Sequence, residues 1–239
     1  MDSGILKSRL RHSRPGAAYE PEMLRYELRA IERFYEDEGF LRAAVGSPSI
    51  DITEGRGGKA ASIRIPIFEG PRYTLARLEV RNAAALSSAT LQQMCPLNSG
   101  QPYGRRKIQA WVDRIMSAYH ELGYMRAEIR LHEDIDDVKQ SVGCALDCSE
   151  GAIYSVHRIA ITNLEGPEAQ EFRRRLLVGE GMVYNPEMLA MSLQLLNSMG
   201  IYRPMSEDNV RVTIDDDARS VDLEFNPVPL RKQGQSLQD

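Results

Sequence analysis

The chain has little of what usually carries chemistry. Its 239 residues include four histidines and three cysteines. Cys95, Cys144 and Cys148 form no Cys-x-x-Cys pair and have no histidine at ligand spacing, which removes the common zinc and dithiol patterns. No apolar run approaches the ~20 residues a membrane-spanning helix needs, and the opening MDSGILKSRL lacks the apolar core of a signal peptide. An excess of one charge is missing too. With 30 Lys and Arg against 34 Asp and Glu, the net charge is −4. That is neither a nucleic-acid footprint nor an acidic disordered tail, so no nucleic-acid partner is expected. Arg105-Arg106-Lys107 and Arg173-Arg174-Arg175 fall on predicted helix faces and read as solvated.

Local motifs for catalysis or cofactor binding fail one by one. EGRGGKAAS (54–62) lacks the glycine spacing of a phosphate loop and has Ala60 where Ser or Thr is required, so it reads as a hairpin turn. HEDIDD (132–137) lacks the glycine and closing glutamate of a calcium loop and reads as the equivalent turn. IDDDARS (214–220) also reads as a turn. The histidines are scattered, no nucleophile stands near a base, and neither a metal site nor an enzyme activity is expected. Trp111, the single tryptophan, sits one residue before a helix's inner stripe and is expected to pack at a helix or domain boundary.

What the chain does have is repetition. Shifted by 84, Leu24, Leu28, Ile31 and Tyr35 fall on Ile108, Val112, Ile115 and Tyr119, the inner stripe of an amphipathic helix. Gly39-Phe40 falls on Gly123-Tyr124, a left-handed helix end followed by an aromatic that can fold back on the last turn. Shifted by a further 81, Tyr103 lands on Tyr184, and Ile108, Val112 and Ile115 land on Leu189, Leu193 and Leu196. There the closing Gly200 comes one turn early, which predicts a shorter helix. Strands repeat as well. YTLARLEVRN (73–82) matches YSVHRIAITN (154–163), each preceded by Glu-Gly, and Ile63, Ile65 and Ile67 match Cys144, Leu146 and Cys148. The cysteines thus read as small core hydrophobes, and Cys144 and Cys148, about 13 Å apart along a strand, cannot bond each other. A link from Cys95 to either stays open.

The repeating unit reads strand–helix–helix–strand–strand, an α+β arrangement with helices on one face of a small sheet. The boundaries are 1–71 for a repeat without its opening strand, 72–153 for a complete one, 154–230 for one with a shortened second helix, and 231–239 for a polar tail. Both ends read as cut points in a longer chain. Pro66 falls inside the third strand of the first repeat and calls for a bulge or an unpaired flank.

EGPRY, GQPY, YHELGY, EGAIY, GMVY and LNSMGIY recur in order along the chain. In that order they resemble the POTRA (polypeptide-transport-associated) family, and their tandem repetition resembles the BamA/TamA outer-membrane superfamily. The resemblance implies β-α-α-β-β units, each a three-stranded mixed sheet with two helices on one face. It also implies a periplasmic arm, attached to the outer membrane through a C-terminal membrane β-barrel absent from these residues. Such an arm assists barrel-protein assembly or polypeptide translocation. Its partners would be unfolded or extended outer-membrane or secreted polypeptides and periplasmic accessory proteins, and no cofactor is implied.

The family pattern makes the second strand an edge, open to an extended peptide through main-chain hydrogen bonds. The candidate positions are Ala127, Glu128, Ile129, Arg130 and Leu131, with Val210 and Val212 in the last repeat. Gly70, Pro71 and Gly151 are candidate hinges between repeats. The alternative is a spacer that docks folded accessory proteins and binds no substrate. The family commonly has Gly before the Asn that ends the first strand, whereas Arg81 and Thr162 stand before Asn82 and Asn163 here, which leaves the geometry of that turn open.

Overall fold

The computed structural model describes residues 3–55 and 58–230. The chain divides into two compact units. One contains Met1–Asn82, Leu86–Asp113 and Arg130–Asp147, the other Ala83–Ala85, Arg114–Ile129 and Cys148–Asp239. The polar tail 231–239 and the tip of the EGRGGKAAS turn (56–57) lie outside the described residues.

The first unit opens with helices α1 (Ser3–Arg9) and α2 (Pro21–Asp37). Strands β1 (Ala44–Val45), β2 (Ser49–Gly55), β3 (Gly58–Arg64) and β4 (Ile67–Phe68) follow. β2 and β3 form a hairpin and β1 pairs with β4, both antiparallel. Pro66 lies in the gap between β3 and β4, where its carbonyl accepts from the Gly46 N–H at 2.9 Å and its missing N–H leaves no ladder bond to lose. The strand is therefore interrupted at Pro66 instead of bulged.

Strand β5 (Thr74–Arg81) and helix α3 (Ser88–Gln93) come next. Helix α4 (Arg105–Glu121) and strands β6 (Glu128–Asp136) and β7 (Ser141–Ser149) are shared between the units. The sheet order is β5-β7-β6, with β5 parallel to β7. The second unit adds β8 (Ser155–Ile161), α5 (Gly166–Arg174), α6 (Pro186–Ser198), β9 (Val210–Asp215) and β10 (Ser220–Phe225). Its sheet order is β8-β10-β9, with β10 parallel to β8 and antiparallel to β9. The fold is thus α+β with mixed sheets. Along β10, Val221, Leu223 and Phe225 are buried in alternation, as expected of a strand covered on one face.

The long helices follow their sequence signals. α2 and α4 each run 17 residues and α6 runs 13, one turn shorter. At their ends Gly39 (φ 94°) and Gly123 (φ 87°) take the left-handed conformation, which a Cβ would oppose. Phe40 and Tyr124 then turn back. Their N–H groups donate to Tyr35 O at 2.8 Å and Tyr119 O at 2.9 Å, and their rings meet Tyr35 and Tyr119 edge-on at 5.7 and 5.9 Å. The Asn turn is resolved as well. Asn82 and Asn163 adopt positive φ themselves (58° and 62°), so the residue before them need not be glycine.

One helical position departs from simple burial. Glu27, Trp111 and Ser192 occupy the same place in the three repeats, one residue before the inner stripe, and all are buried. Glu27 accepts the N–H groups of His12 (2.6 Å) and Ser13 (3.1 Å). Ser192 accepts the N–H of Leu177 at 2.8 Å. His12, Pro96 and Leu177 are the matching residues of the repeat. Since Pro96 has no N–H, the middle repeat needs no acceptor there, and Trp111 instead donates its Nε1–H to Leu91 O at 2.6 Å. Trp111 therefore packs at a helix boundary.

Candidate functional site

The first strand of each complete repeat is held from two sides. Besides its parallel partner, β5 exchanges bonds with the loop ahead of α4. Leu75 N donates to Gln101 O (2.9 Å), Gly100 N to Leu75 O (2.7 Å) and Tyr103 N to Tyr73 O (3.0 Å). The last repeat repeats them with Val156 N to Met182 O (2.8 Å), Gly181 N to Val156 O (2.7 Å) and Tyr184 N to Tyr154 O (2.9 Å). With the third strand in the centre, the second strands β6 and β9 form the other border of each sheet.

Among the described residues, β6 pairs with β7 alone and β9 with β10 alone. Alternate N–H and C=O groups of both therefore point away from their sheets. Within β6, Glu128 and Arg130 are exposed, while Ile129 and Leu131 are half-buried. Beside this border runs an open groove of ≈ 570 Å³, lined by Arg105, Arg106 and Gln109 of α4 and by Leu131 and Glu133 of β6. Arg105 stands 3.5 Å from Glu36 and 4.0 Å from Glu133, so the groove's cationic wall is partly paired, and Leu131 is the apolar side chain lining it. Tyr103 donates its hydroxyl to Glu133. Burial, then the Glu133 carboxylate, pushes that phenol well above its usual range.

Two sequence candidates are placed differently. Ala127 is buried and lies one residue before β6, its N–H bonded to Tyr124 O at 3.1 Å. Val210 opens β9 but points into the core, whereas Val212 is exposed. HEDIDD is not a turn as expected, since β6 runs on through Asp136 and only Asp137 begins the turn. Among the described residues no group of three His, Cys, Asp or Glu side chains could hold a metal. Cys144 is buried, and burial first, then Glu133 and Cys95, pushes its thiol up to about 12. Among the described residues no disulfide joins the three cysteines.

Sequence reading missed the side chains at the repeat boundaries. Gly70 and Pro71 lie between β4 and β5 and Gly151 between β7 and β8, but the side-chain links are made elsewhere. Arg42 donates through Nε (3.1 Å) and Nη2 (3.0 Å) to the two oxygens of Asp137, which also accepts the Tyr73 hydroxyl. In the second unit Arg126 donates the same way to Asp216 (2.7 and 2.8 Å), which accepts the Tyr154 hydroxyl at 2.7 Å. Each arginine, then each tyrosine, holds its aspartate below the ordinary carboxylate range.

The Glu-Gly motif also gains a reason. Tyr35 donates its hydroxyl to Glu69 and Tyr119 donates to Glu150, both at 2.9 Å, tying each long helix to the end of its own repeat. A usable signal for the joints was present. FLRAA (40–44) and YMRAE (124–128) place arginine three residues after the helix-ending glycine, and Asp137 and Asp216 each end an Ile-Asp-Asp. The basic triplets are not purely solvated either, since Arg173 donates to Ile159 O at 2.6 Å.

The family model of POTRA, described as "Surface antigen variable number repeat", matches residues 2–70 and 73–147. Over 180 residues the chain is 23% identical to the outer membrane protein assembly factor BamA of Buchnera aphidicola, spanning 75% of this chain and 29% of that protein. It thus spans under a third of that relative's length. Among solved structures, BamA POTRA3-5 of Haemophilus influenzae is similar with a TM-score of 0.66 at 18% identity, over 95% of this chain and 91% of that one. BamA of Haemophilus ducreyi lacking POTRA domains 1-3 is similar with a TM-score of 0.54 at 14% identity, over 67% of this chain and 30% of that one. With the family model covering more than half the sequence and the same repeat geometry in its sheets, the chain belongs to the POTRA family.

Proposed function

We propose that the chain is a periplasmic arm that binds extended polypeptide for outer-membrane protein assembly or translocation, attached to the outer membrane through a barrel in its parent protein. One observation carries this reading. β6 and β9 are sheet borders with outward main-chain groups, and β6 lies beside a groove that can take the side chains of an added strand. Ile129, Arg130 and Leu131 on β6 and Val212 on β9 would meet the bound peptide, with Glu128 at its entry. Backbone pairing supplies affinity with little demand on sequence, which suits a receptor for many clients. The similarity to BamA POTRA domains supports the same role.

The test is an amide NMR titration of labelled protein with extended peptides from barrel strands. Shifts clustered on 128–133 or 210–214 are the expected result. A flat spectrum at millimolar peptide defeats the reading. A second reading, a spacer that docks folded accessory proteins, is favoured by the twin arginine–aspartate–tyrosine joints, which suit a part that fixes orientation. Retained binding of a folded accessory protein with no peptide response would select it.

A further inference from the structure

The ends of α2 and α4 meet equivalent neighbours with opposite chemistry. At the end of α2 three consecutive acidic residues are paired. Glu36 stands 3.5 Å from Arg105 and Glu38 stands 3.1 Å from Arg72. Asp37 stands 3.8 Å from the Arg106 guanidinium and accepts the Arg106 N–H at 3.1 Å. The repeat carries these three pairs to His120 and Pro186, Leu122 and Ile153, and Glu121 and Glu187. None of the three is an ion pair any longer. One has become two apolar side chains and another two carboxylates.

The start of α6 still sits at the end of α4, since the Asn185 side chain donates to Glu121 O at 3.2 Å. Glu121 and Glu187 are both exposed. Desolvation first, then the Glu187 carboxylate beside it, raises the Glu121 pKa. Among the described residues no lysine or arginine pairs with either carboxylate. Next to them the Ile153 and Val183 side chains meet over Gly123, where a Cβ would touch both. Leu122, Ile153 and Val183 are 41%, 47% and 49% exposed. A single exposed apolar residue is ordinary, but three gathered at one glycine make a patch. Repelling carboxylates and apolar groups in water are each unfavourable, and one kind of neighbour relieves both.

We infer that this face docks an amphipathic helix of a partner protein, with its arginine or lysine at Glu121 and Glu187 and its apolar side chains over Leu122, Ile153 and Val183. A helix presents a cation and apolar groups together on successive turns of one face. An added strand gains little here, because the main chain is already bonded. Gly123 N donates to His120 O, Tyr154 N to Gly123 O and Tyr184 N to Tyr154 O, each at 2.9 Å. An anionic membrane surface is disfavoured by the two carboxylates. The end of α2, with its acids already paired, offers no such place. The site uses neither β6 nor β9, so it stands or falls apart from strand addition.

The probe is a capped, Ala-rich helical peptide of about 18 residues with Leu, Arg and Leu on successive turns of one face, titrated into the labelled chain. Expected are shifts clustered at amides 119–124, 152–154 and 182–187. Glu187→Arg copies the first repeat by giving Glu121 a partner, so the fold should hold while the response weakens at least tenfold. Leu122→Glu together with Ile153→Arg copies the Glu38–Arg72 pair and should weaken it as much. Glutamate in place of the peptide's arginine should abolish the response. No response at about 1 mM peptide, or one indifferent to Glu187→Arg or to the peptide's charge, overturns the proposal. Self-association through the same amides without peptide makes a second copy the occupant, and shifts there with phosphatidylcholine vesicles make it a membrane. Either result also overturns the proposal.

Discussion

Arg42 grips both carboxylate oxygens of Asp137, and 84 residues later Arg126 grips Asp216 in the same fork. A two-pronged pair fixes direction as well as distance, because the planar guanidinium accepts the carboxylate in one plane. Tyr73 and Tyr154 donate their hydroxyls to the same aspartates, each on the Oδ1 that the arginine Nε also holds. The joints are therefore specific in geometry although their charged groups are more than half exposed.

Arg42→Ala should release orientation without unfolding the protein. Exposed pairs contribute little to stability because solvent screens them, so the melting temperature should hardly move. Residual dipolar couplings of residues 21–55 against 74–81 should shrink in the variant. Unchanged couplings would show that Arg42 does not hold the joint.

Acid should loosen both joints. Asp137 and Asp216 have folded pKa values below their unfolded values, so their contribution is full above the unfolded value of about 3.9 and is lost as pH falls through the folded value. Backbone relaxation measured from pH 6 downward should stay constant until about pH 4 and then report faster independent motion. Asp137→Asn should show the loosened behaviour of its joint at neutral pH.

Glu27→Ala takes the acceptor from the N–H groups of exposed His12 and half-buried Ser13. The expected loss is about 0.5–1.5 kcal/mol per bond, read as lower denaturant resistance and faster amide exchange at residues 12–19. Glu27→Gln keeps one acceptor oxygen and should lose less. Burial opposes ionisation of Glu27, yet the His12 and Ser13 bonds keep its pKa below normal. The contribution is accordingly present above the unfolded value and lost in acid.

Gly39→Ala and Gly100→Ala separate backbone strain from crowding. Both residues have positive φ, a penalty of about 1–2 kcal/mol for a side chain. A Cβ at Gly100 meets nothing within 4 Å, but at Gly39 it stands 2.9 Å from Tyr73 O and 3.0 Å from Tyr103 O. Gly39→Ala should be the more damaging in urea unfolding. Equal losses would mean the backbone relaxes freely there.

Cys95 should react with a thiol reagent well before Cys144. It is half-buried, whereas burial lifts the Cys144 thiol to about 12 and leaves little thiolate at pH 8. Mass spectrometry of briefly alkylated protein distinguishes them.

Most of the architecture was legible because local chemistry repeats. The stripe ending at Tyr119, the left-handed Gly123 and the early Gly200 fixed helix length and number before any tertiary contact was known. The borders of the sheets were less legible. Ala127 and Val210 look like edge-strand residues in sequence, yet both are buried where β6 and β9 begin. Asp137 and Asp216 were harder still. Asp suits a turn for local reasons, and that sufficient explanation hid a partner 90 or more residues away.

Pro96 limits how freely the three units can be interchanged. Where His12 and Leu177 present an N–H to the helix beside them, proline presents none, and Trp111 has taken the freed space. A chimera carrying α4 in place of α6 would set an indole against the Leu177 N–H, and the reverse graft would leave Ser192 facing a proline. Recombination therefore works only when a long helix travels together with the short connector that precedes it, so the inherited cassette is the pair.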